Sequence, residues 1–263
     1  MLEHTFAIVV YKDSEFLESC INSILNQTIK SKILICTSTP TDFNKCISIK
    51  YNIDFIVNPN GNNGIGSDWN FALQQVKTKF TTIAHQDDLY EKEFTEIVVN
   101  KIKRNEEKCL IVFTNYFEII KNKKRGFSIL IFIKTLLLAP FLIKPTIQCK
   151  FLKKISLSFG DPICCPSVTF NLQNLSNFNF SEKYHFILDW DAWFKLAKEN
   201  GSFIYVNKKL MLHRIHGKSE TSKLIESGIR IEEERTMLRM IWGNKLGVFL
   251  SFFYKFGYLG NKK

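Results

Sequence analysis

Thr81-Thr82-Ile83-Ala84-His85-Gln86-Asp87-Asp88-Leu89 is a short β-branched run that breaks off into two adjacent carboxylates. Such a run reads as a buried strand, and a carboxylate pair just past a strand's carboxyl end stands where open α/β sheets hold their ligands. The same pair serves equally as an Asx-turn or as the cap of the helix expected near Glu91. The rest of the chain separates these readings.

Upstream, residues 5–11, Thr-Phe-Ala-Ile-Val-Val-Tyr, form an apolar run of the type that parallel sheets bury on both faces. Ser14 with Glu15 and Glu18 marks a helix start, and Phe16, Leu17, Cys20, Ile21, Ile24 and Leu25 give that helix one apolar face. Further strands are expected over 33–36 and 53–57. The glycine-rich stretch 58–66 leads into a helix over 67–76, and its spacing fits neither phosphate-loop pattern. A helix over about 91–104 and a strand around 110–114 complete a parallel series, the alternation that builds βαβ units.

The chain has 263 residues, 45% of them hydrophobic, enough for one principal α/β core with appendages. Its seven cysteines, at 20, 36, 46, 109, 149, 164 and 165, show no metal-ligand spacing and read as reduced thiols of a cytosolic chain. The adjacent pair Cys164-Cys165 leaves a redox switch as a lesser alternative. Met1-Leu2-Glu3-His4 opens no secretory signal. The net charge of +11 is concentrated: thirteen basic against three acidic residues lie between Lys101 and Lys154, so +10 of it falls there. A block of this kind attracts phosphates, whether of lipid, nucleotide or nucleic acid.

Inside that block, Lys121-Asn-Lys-Lys-Arg125 precedes the most hydrophobic stretch, Gly126 to Ile143, which carries Lys134 in its middle and Pro140 near its end. It is short for a bilayer span. The basic flanks favour a surface helix lying in the membrane interface with Lys134 snorkelling, against the plain alternative of a core helix.

Three later clusters bear on chemistry. Gly160-Asp-Pro-Ile-Cys-Cys-Pro-Ser-Val-Thr-Phe-Asn171 is expected as an ordered loop entering a strand. In Leu188-Asp-Trp-Asp-Ala-Trp-Phe194, helical spacing sends Trp190, Trp193 and Phe194 towards a core and leaves Asp189 near the helix start, as a cap or a pre-oriented base. His213-Arg-Ile-His216 can bring imidazole and guanidinium to one pocket. Helices follow to the end, the last amphipathic.

Taken together, these pieces resemble a family 2 glycosyltransferase of the GT-A fold, of the bacterial surface-polysaccharide type, over roughly residues 5 to 222. Ala7-Ile-Val-Val-Tyr11 with Phe16 to Thr28 resembles the family's first strand and helix. Asn63-Gly-Ile-Gly-Ser-Asp-Trp-Asn-Phe-Ala-Leu73 and His85-Gln-Asp-Asp88 are similar to its donor helix and DxD segment. Leu188-Asp-Trp-Asp-Ala-Trp-Phe194 resembles its Glu-Asp motif, and Arg214-Ile-His216 with Ser219 and Thr221 its C-terminal signature. Three positions differ from the family pattern: Cys36-Thr37-Ser38 stands where an Asp often reads uracil, His85 replaces the first Asp of the DxD, and Leu188 replaces the acidic partner of the base.

The resemblance implies a Rossmann-like, mostly parallel sheet flanked by helices, with a helical C-terminal extension. It implies inverting transfer of a hexosyl or hexosaminyl group from a nucleotide sugar, a UDP-sugar, to a hydroxyl of a glycan or lipid-linked acceptor. Val10, Tyr11, Thr37, Asp68, Gln86 and Asp87 would bind the donor. A divalent cation, Mn²⁺ or Mg²⁺, would sit on Asp88, Asp87 and His216, with Asp88 the more direct ligand. Asp189 would be the base, with Asp191 the alternate, and Pro166, Ser167 and Trp190 would meet the acceptor. The organisation expected is a nucleotide-sugar half over 1–120, a basic and apolar helical insertion over 121–158, an acceptor half over 159–222 and helices over 223–263. The setting expected is the inner face of an anionic cytoplasmic membrane, with no nucleic-acid partner. A nucleotidyltransferase would need a basic glycine-rich loop where Tyr11-Lys-Asp-Ser-Glu15 stands. A catalytically degenerate adaptor would bind nucleotide or membrane without turning over.

Overall fold

The computed structural model describes residues 2–217 and 228–259, with side chains through 252. Ser219 and Thr221 lie outside the described residues. The apolar run at the N-terminus is β1 (His4–Val10), and it is the sheet's inner strand: β2 (Lys32–Thr37) pairs with it on one side and β4 (Phe80–His85) on the other, both parallel. β3 (Asp54–Val57) extends the parallel half beyond β2. Burial on both faces explains why β1 and β4 are unbroken apolar or β-branched runs.

Helices close the crossovers. α1 (Leu17–Leu25) packs Leu17, Cys20, Ile21 and Ile24 inward, as its spacing predicts. α2 (Asp42–Tyr51), which the sequence reading does not anticipate, has Thr41 as its N-cap, accepting the Asn44 N–H at 3.2 Å, and Asn52 in the left-handed region as its C-cap. α3 (Ile65–Gln75) begins two residues before the expected start. Its Gly66 is required, because a Cβ there would lie 2.7 Å from the Ser181 carbonyl. Asn70 locks the same contact, its amide bonding both the N–H and the carbonyl of Phe180.

The second half of the sheet is mixed. β6 (Cys109–Ile120) is longer than the five residues expected, because β10 (Ser202–Ile215) runs parallel beside it as far as Ile120. β9 (Val168–Asn171) inserts antiparallel between β4 and β6. The strand order is therefore β3-β2-β1-β4-β9-β6-β10-β5, with β5 (Leu89–Tyr90) antiparallel to β10. After α4 (Phe94–Lys103), the basic stretch 121–125 forms a hairpin. β7 (Lys123–Arg125) folds back on β6 through Lys121 and Asn122, both at positive φ.

The hydrophobic stretch 126–143 departs from the single helix expected. It forms α5 (Ile129–Leu137) and α6 (Ala139–Ile143), parted at Leu138 ahead of Pro140. Phe127, Ile129, Leu130, Phe132, Ile133, Leu136, Leu142 and Ile143 face outward, while Ile131, Leu138 and Phe141 are buried. No helix among the described residues is long and apolar enough to cross a membrane. Lys134 also departs from expectation: it does not snorkel outward but turns inward, its Nζ 5.7 Å from the Tyr116 ring centre.

β8 (Thr146–Ile147) and α7 (Lys150–Leu157) lead to the 160–171 loop, which ends in a tight turn at Cys165–Ser167 before β9. α8 (Leu188–Leu196) lays Trp190 and Trp193 into the larger core cluster. The chain closes with α9 (Ile229–Leu259), broken at Gly243, whose φ of 77° is the kink. All seven cysteines are free thiols.

Candidate active site

The chain leaves β4 at His85, beside Val9 of β1, and is paired with β10 again by Leu89. Gln86, Asp87 and Asp88 therefore span the gap between the two halves of the sheet, at the carboxyl edge of β1 and β4. That crossing, not visible in any local pattern, sets the acids against residues 213–216 of a strand more than a hundred positions away.

Asp88 is fully buried. Its Oδ1 accepts the Arg214 N–H at 2.9 Å and faces His213 Nδ1 at 3.1 Å, and its Oδ2 lies 3.7 Å from His85 Nδ1. Burial alone would raise this carboxyl, but His213, with His85 and the Arg214 N–H, holds it below the usual carboxylate range. In return, burial would lower His213, and the Asp88 carboxylate outweighs it, leaving the imidazole above its ordinary value. Asp87 is the more open acid: its Oδ2 lies 2.9 Å from His216 Nε2, and its carbonyl accepts Arg214 Nε at 3.0 Å. The Arg214 guanidinium also bonds Asn122 and covers the Phe16 ring at 4.3 Å, and that ring stands 5.2 Å from His216.

One ligand atom each from His85, Asp87 and Asp88 fall within 4.8 Å of one another. Bonds of roughly 2.1 Å around an octahedral ion put ligand atoms about 3 to 4 Å apart, so a small inward movement of these side chains would let them hold a hard divalent cation. His85 Nε2 is buried with no hydrogen-bond partner among the described residues, while the ring stacks on Trp69 at 5.3 Å. The nitrogen turned towards the acids is the other one, Nδ1, 3.7 Å from Asp88 Oδ2.

The residues expected to bind the donor gather at the same edge. Val10 and Thr37 are register partners at the ends of β1 and β2, and both side chains are buried. Gln86 clamps Tyr11: its amide donates to the Tyr11 carbonyl at 3.0 Å and accepts the Tyr11 N–H at 3.3 Å. Asp68 is buried and spends both oxygens on protein, one on Ser38 Oγ at 2.7 Å and the other on Asn58 Nδ2 at 3.1 Å. It organises the ends of β2 and β3.

Asp189 begins α8 and accepts the following N–H, that of Trp190, at 2.9 Å. Burial raises its carboxyl. Asp191 does not join it: it is buried and ion-paired with Lys195 at 2.6 Å. Trp190 and Ser167, expected at the acceptor, are both engaged within the fold. The indole is core, donating to the Leu157 carbonyl at 2.8 Å, and the Ser167 hydroxyl donates to Cys164 O at 2.7 Å. Pro166 is buried in the same turn, its carbonyl accepting from Tyr90 OH at 2.9 Å. The turn itself links the two acidic groups, since the buried Cys164 and Cys165 thiols are pushed up first by burial and then by Asp88 and Asp189 together.

His213, Phe16, Asn122 and Asp161 belong to this neighbourhood without a role assigned from sequence. His213 stands in the His-Arg-Ile-His run, Phe16 in the helix motif and Asp161 in the 160–171 loop, while Asn122 carries no local signal.

The model of glycosyl transferase family 2 matches residues 5–171, and the chain belongs to that family. Curated relatives are two uncharacterized glycosyltransferases, of Rickettsia typhi and Rickettsia prowazekii, each 25% identical over 82% of this chain and 64% of their own length. The chain thus spans less than two thirds of the relatives it matches. Among solved structures, Staphylococcus aureus TarS 1-349 in complex with UDP superposes with a TM-score of 0.62 at 14% identity, covering 90% of this chain and 64% of that one. The mannosyltransferase PcManGT of Pyrobaculum calidifontis, in complex with GDP-Man and Mn²⁺, gives a TM-score of 0.59 at 12% identity over 89% of this chain and 62% of that one. The fold is GT-A, a mixed sheet flanked by helices with a C-terminal helix.

Proposed function

We propose that the chain is an inverting, metal-dependent transferase. It moves a hexosyl or hexosaminyl group from a UDP-sugar to a hydroxyl of a glycan or lipid-linked acceptor in cell-surface polysaccharide or lipopolysaccharide synthesis. The observation that carries the reading is the convergence of Asp87, His85 and His216 at the carboxyl edge of β1 and β4, beside the Gln86–Tyr11 clamp and across the Cys164-Cys165 turn from Asp189.

Asp87, Asp88 and His85, with His216 beside Asp87, are the residues that would hold Mn²⁺ or Mg²⁺. Asp88 is the buried one of them, engaged also by Arg214 and His213. When bound, the ion neutralises charge on the departing diphosphate. The ends of β1 and β2 at Val10, Tyr11 and Thr37, with Gln86, receive the nucleoside. Asp189 takes the acceptor's proton as the hydroxyl oxygen attacks the anomeric carbon. The glycosidic carbon–oxygen bond to phosphate breaks as the new one forms, and the electron pair leaves with the diphosphate.

The acceptor is lipid-linked in this reading because of the outer surface of α5 and α6. Eight outward apolar side chains between Phe127 and Ile143, joined by exposed Phe151, are flanked by Lys121, Lys123, Lys124, Arg125, Lys144 and Lys150. That combination suits the interface of an anionic membrane, and supports a setting on the inner face of the cytoplasmic membrane in this reading. Calorimetry tests the donor site: a nucleoside diphosphate should bind in the presence of Mn²⁺ and weaken on chelation, whereas binding indifferent to metal contradicts the proposal.

A further inference from the structure

Asp161 has no role in the chemistry above, yet it is held against Asp189 from both sides. The two indoles of α8 grip the loop that carries it: Trp190 Nε1 donates to the Leu157 carbonyl at 2.8 Å and Trp193 Nε1 to the Ile163 carbonyl at 3.3 Å. These carbonyls bracket Asp161, so the helix that bears Asp189 also fixes its neighbour. Asp161 Oδ1 accepts the Ile163 N–H at 3.1 Å, which orients the carboxyl, and the two carboxyls hydrogen-bond to each other. A carboxyl-to-carboxyl bond needs one proton.

The third member comes from α5. Ile131, Lys134, Thr135 and Leu138 form its inner stripe, and Lys134 lines the same small cavity as Pro162, Tyr116 and Tyr205. Burial would lower its ammonium, and the negative charge shared by the Asp161–Asp189 pair, with the Tyr116 ring beside it, outweighs that. The other titratable groups facing the pair are the Cys164 and Cys165 thiols of the intervening turn, both raised by burial and neutral.

We propose that Asp161 is a positioning residue for Asp189: it donates a carboxyl hydrogen bond that holds Asp189 as the carboxylate aimed at the acceptor, and Lys134 of the apolar helix supplies the balancing positive charge. The inference rests on Asp189 being the base. The Ile163 N–H fixes one Asp161 oxygen, which leaves the other for the bond to Asp189. The insertion thereby serves in two ways, with one face of α5 apolar and outward and the other delivering a charge to the site.

The test uses the full chain and the nucleotide sugar that it turns over, with transfer measured across pH for wild type, Asp161→Ala and Asp161→Asn. Asp161→Ala should lower kcat on the order of tenfold to a hundredfold, leave the donor KM unchanged and move the acid limb of kcat to higher pH. Asp161→Asn keeps an N–H donor to Asp189 and should recover most of kcat and the acid limb. An Ala variant with wild-type kcat and acid limb overturns the proposal, and so does an Asn variant no better than Ala. Where the Ala variant fails to fold, infrared spectra of wild type and Asp161→Asn decide: the protonated-carboxyl band of the wild type at neutral pH should vanish in the variant, and its persistence overturns the proposal. The two readings fail differently. Full transfer by Asp189→Asn removes the base, whereas an inactive Asp189→Asn beside an unaffected Asp161→Ala removes this inference alone.

Discussion

His216 Nε2 lies 2.9 Å from Asp87 Oδ2, across 129 positions of sequence. Both side chains are about one-fifth exposed, so the pair adds little to stability. Its value is in bringing an imidazole and a carboxylate to one point of the crevice. Asp87→Asn and His216→Ala should each weaken Mn²⁺-dependent binding of a nucleoside diphosphate on the order of tenfold to a hundredfold. Melting without metal should stay close to wild type. Calorimetry with and without Mn²⁺ reads the first, a thermal melt the second.

Asp88→Asn, unlike those two, should cost stability. The residue is fully buried and faces His213, and removing one partner of such a pair leaves the other uncompensated. Because His213 is about one-third exposed, a stability loss of about 1 to 2 kcal/mol is expected, read as a lower urea midpoint. A wild-type midpoint would mean that Asp88 is not the internal anchor described above.

Much of this arrangement is legible in the sequence, and the reasons for the rest are specific. β1, β4 and α1 announce themselves because burial on one or both faces writes a periodic apolar pattern. β9 is legible only as a strand after the 160–171 loop; nothing local says that its four residues pair antiparallel between β4 and β6. Lys134 misleads because a lysine inside an apolar helix reads as snorkelling outward; the carboxylates that draw it inward are 27 and 55 positions further on. The difference in burial between Asp87 and Asp88 is also tertiary, decided by which carboxylate β10 covers.

His4 predicts the acid side of the stability curve. It is fully buried, bonded to Ser31 Oγ at 2.8 Å and Thr82 Oγ1 at 3.0 Å, and burial lowers it to about 3 from 6.5. Between those values the unfolded chain binds the proton that the folded chain refuses, so stability must fall as pH drops from about 6.5 towards 3. His4→Asn should flatten that slope in a series of denaturation midpoints taken across this range.

The Gln86 clamp predicts a donor-site effect without a metal effect. Gln86→Ala removes both hydrogen bonds to the Tyr11 main chain, each worth about 1 kcal/mol. Nucleoside diphosphate affinity should drop, while the dependence on Mn²⁺ concentration stays unchanged.

The apolar and basic surface predicts flotation with anionic liposomes. Charge reversal at Lys121, Lys123, Lys124 and Arg125 removes attraction worth about 1 kcal/mol per basic residue near such a surface. The variant should stay in the dense fraction. Equal flotation of the two proteins would mean that these residues do not face the membrane.

The central claim, sugar transfer with Asp189 as base, is tested most directly by nucleoside diphosphate release from a panel of common nucleotide sugars with Mn²⁺. Wild type should release product from at least one donor, and Asp189→Asn should lower the rate by roughly 10² to 10⁴ while still binding that donor. No release from any donor, or an undiminished rate in Asp189→Asn, would contradict the account.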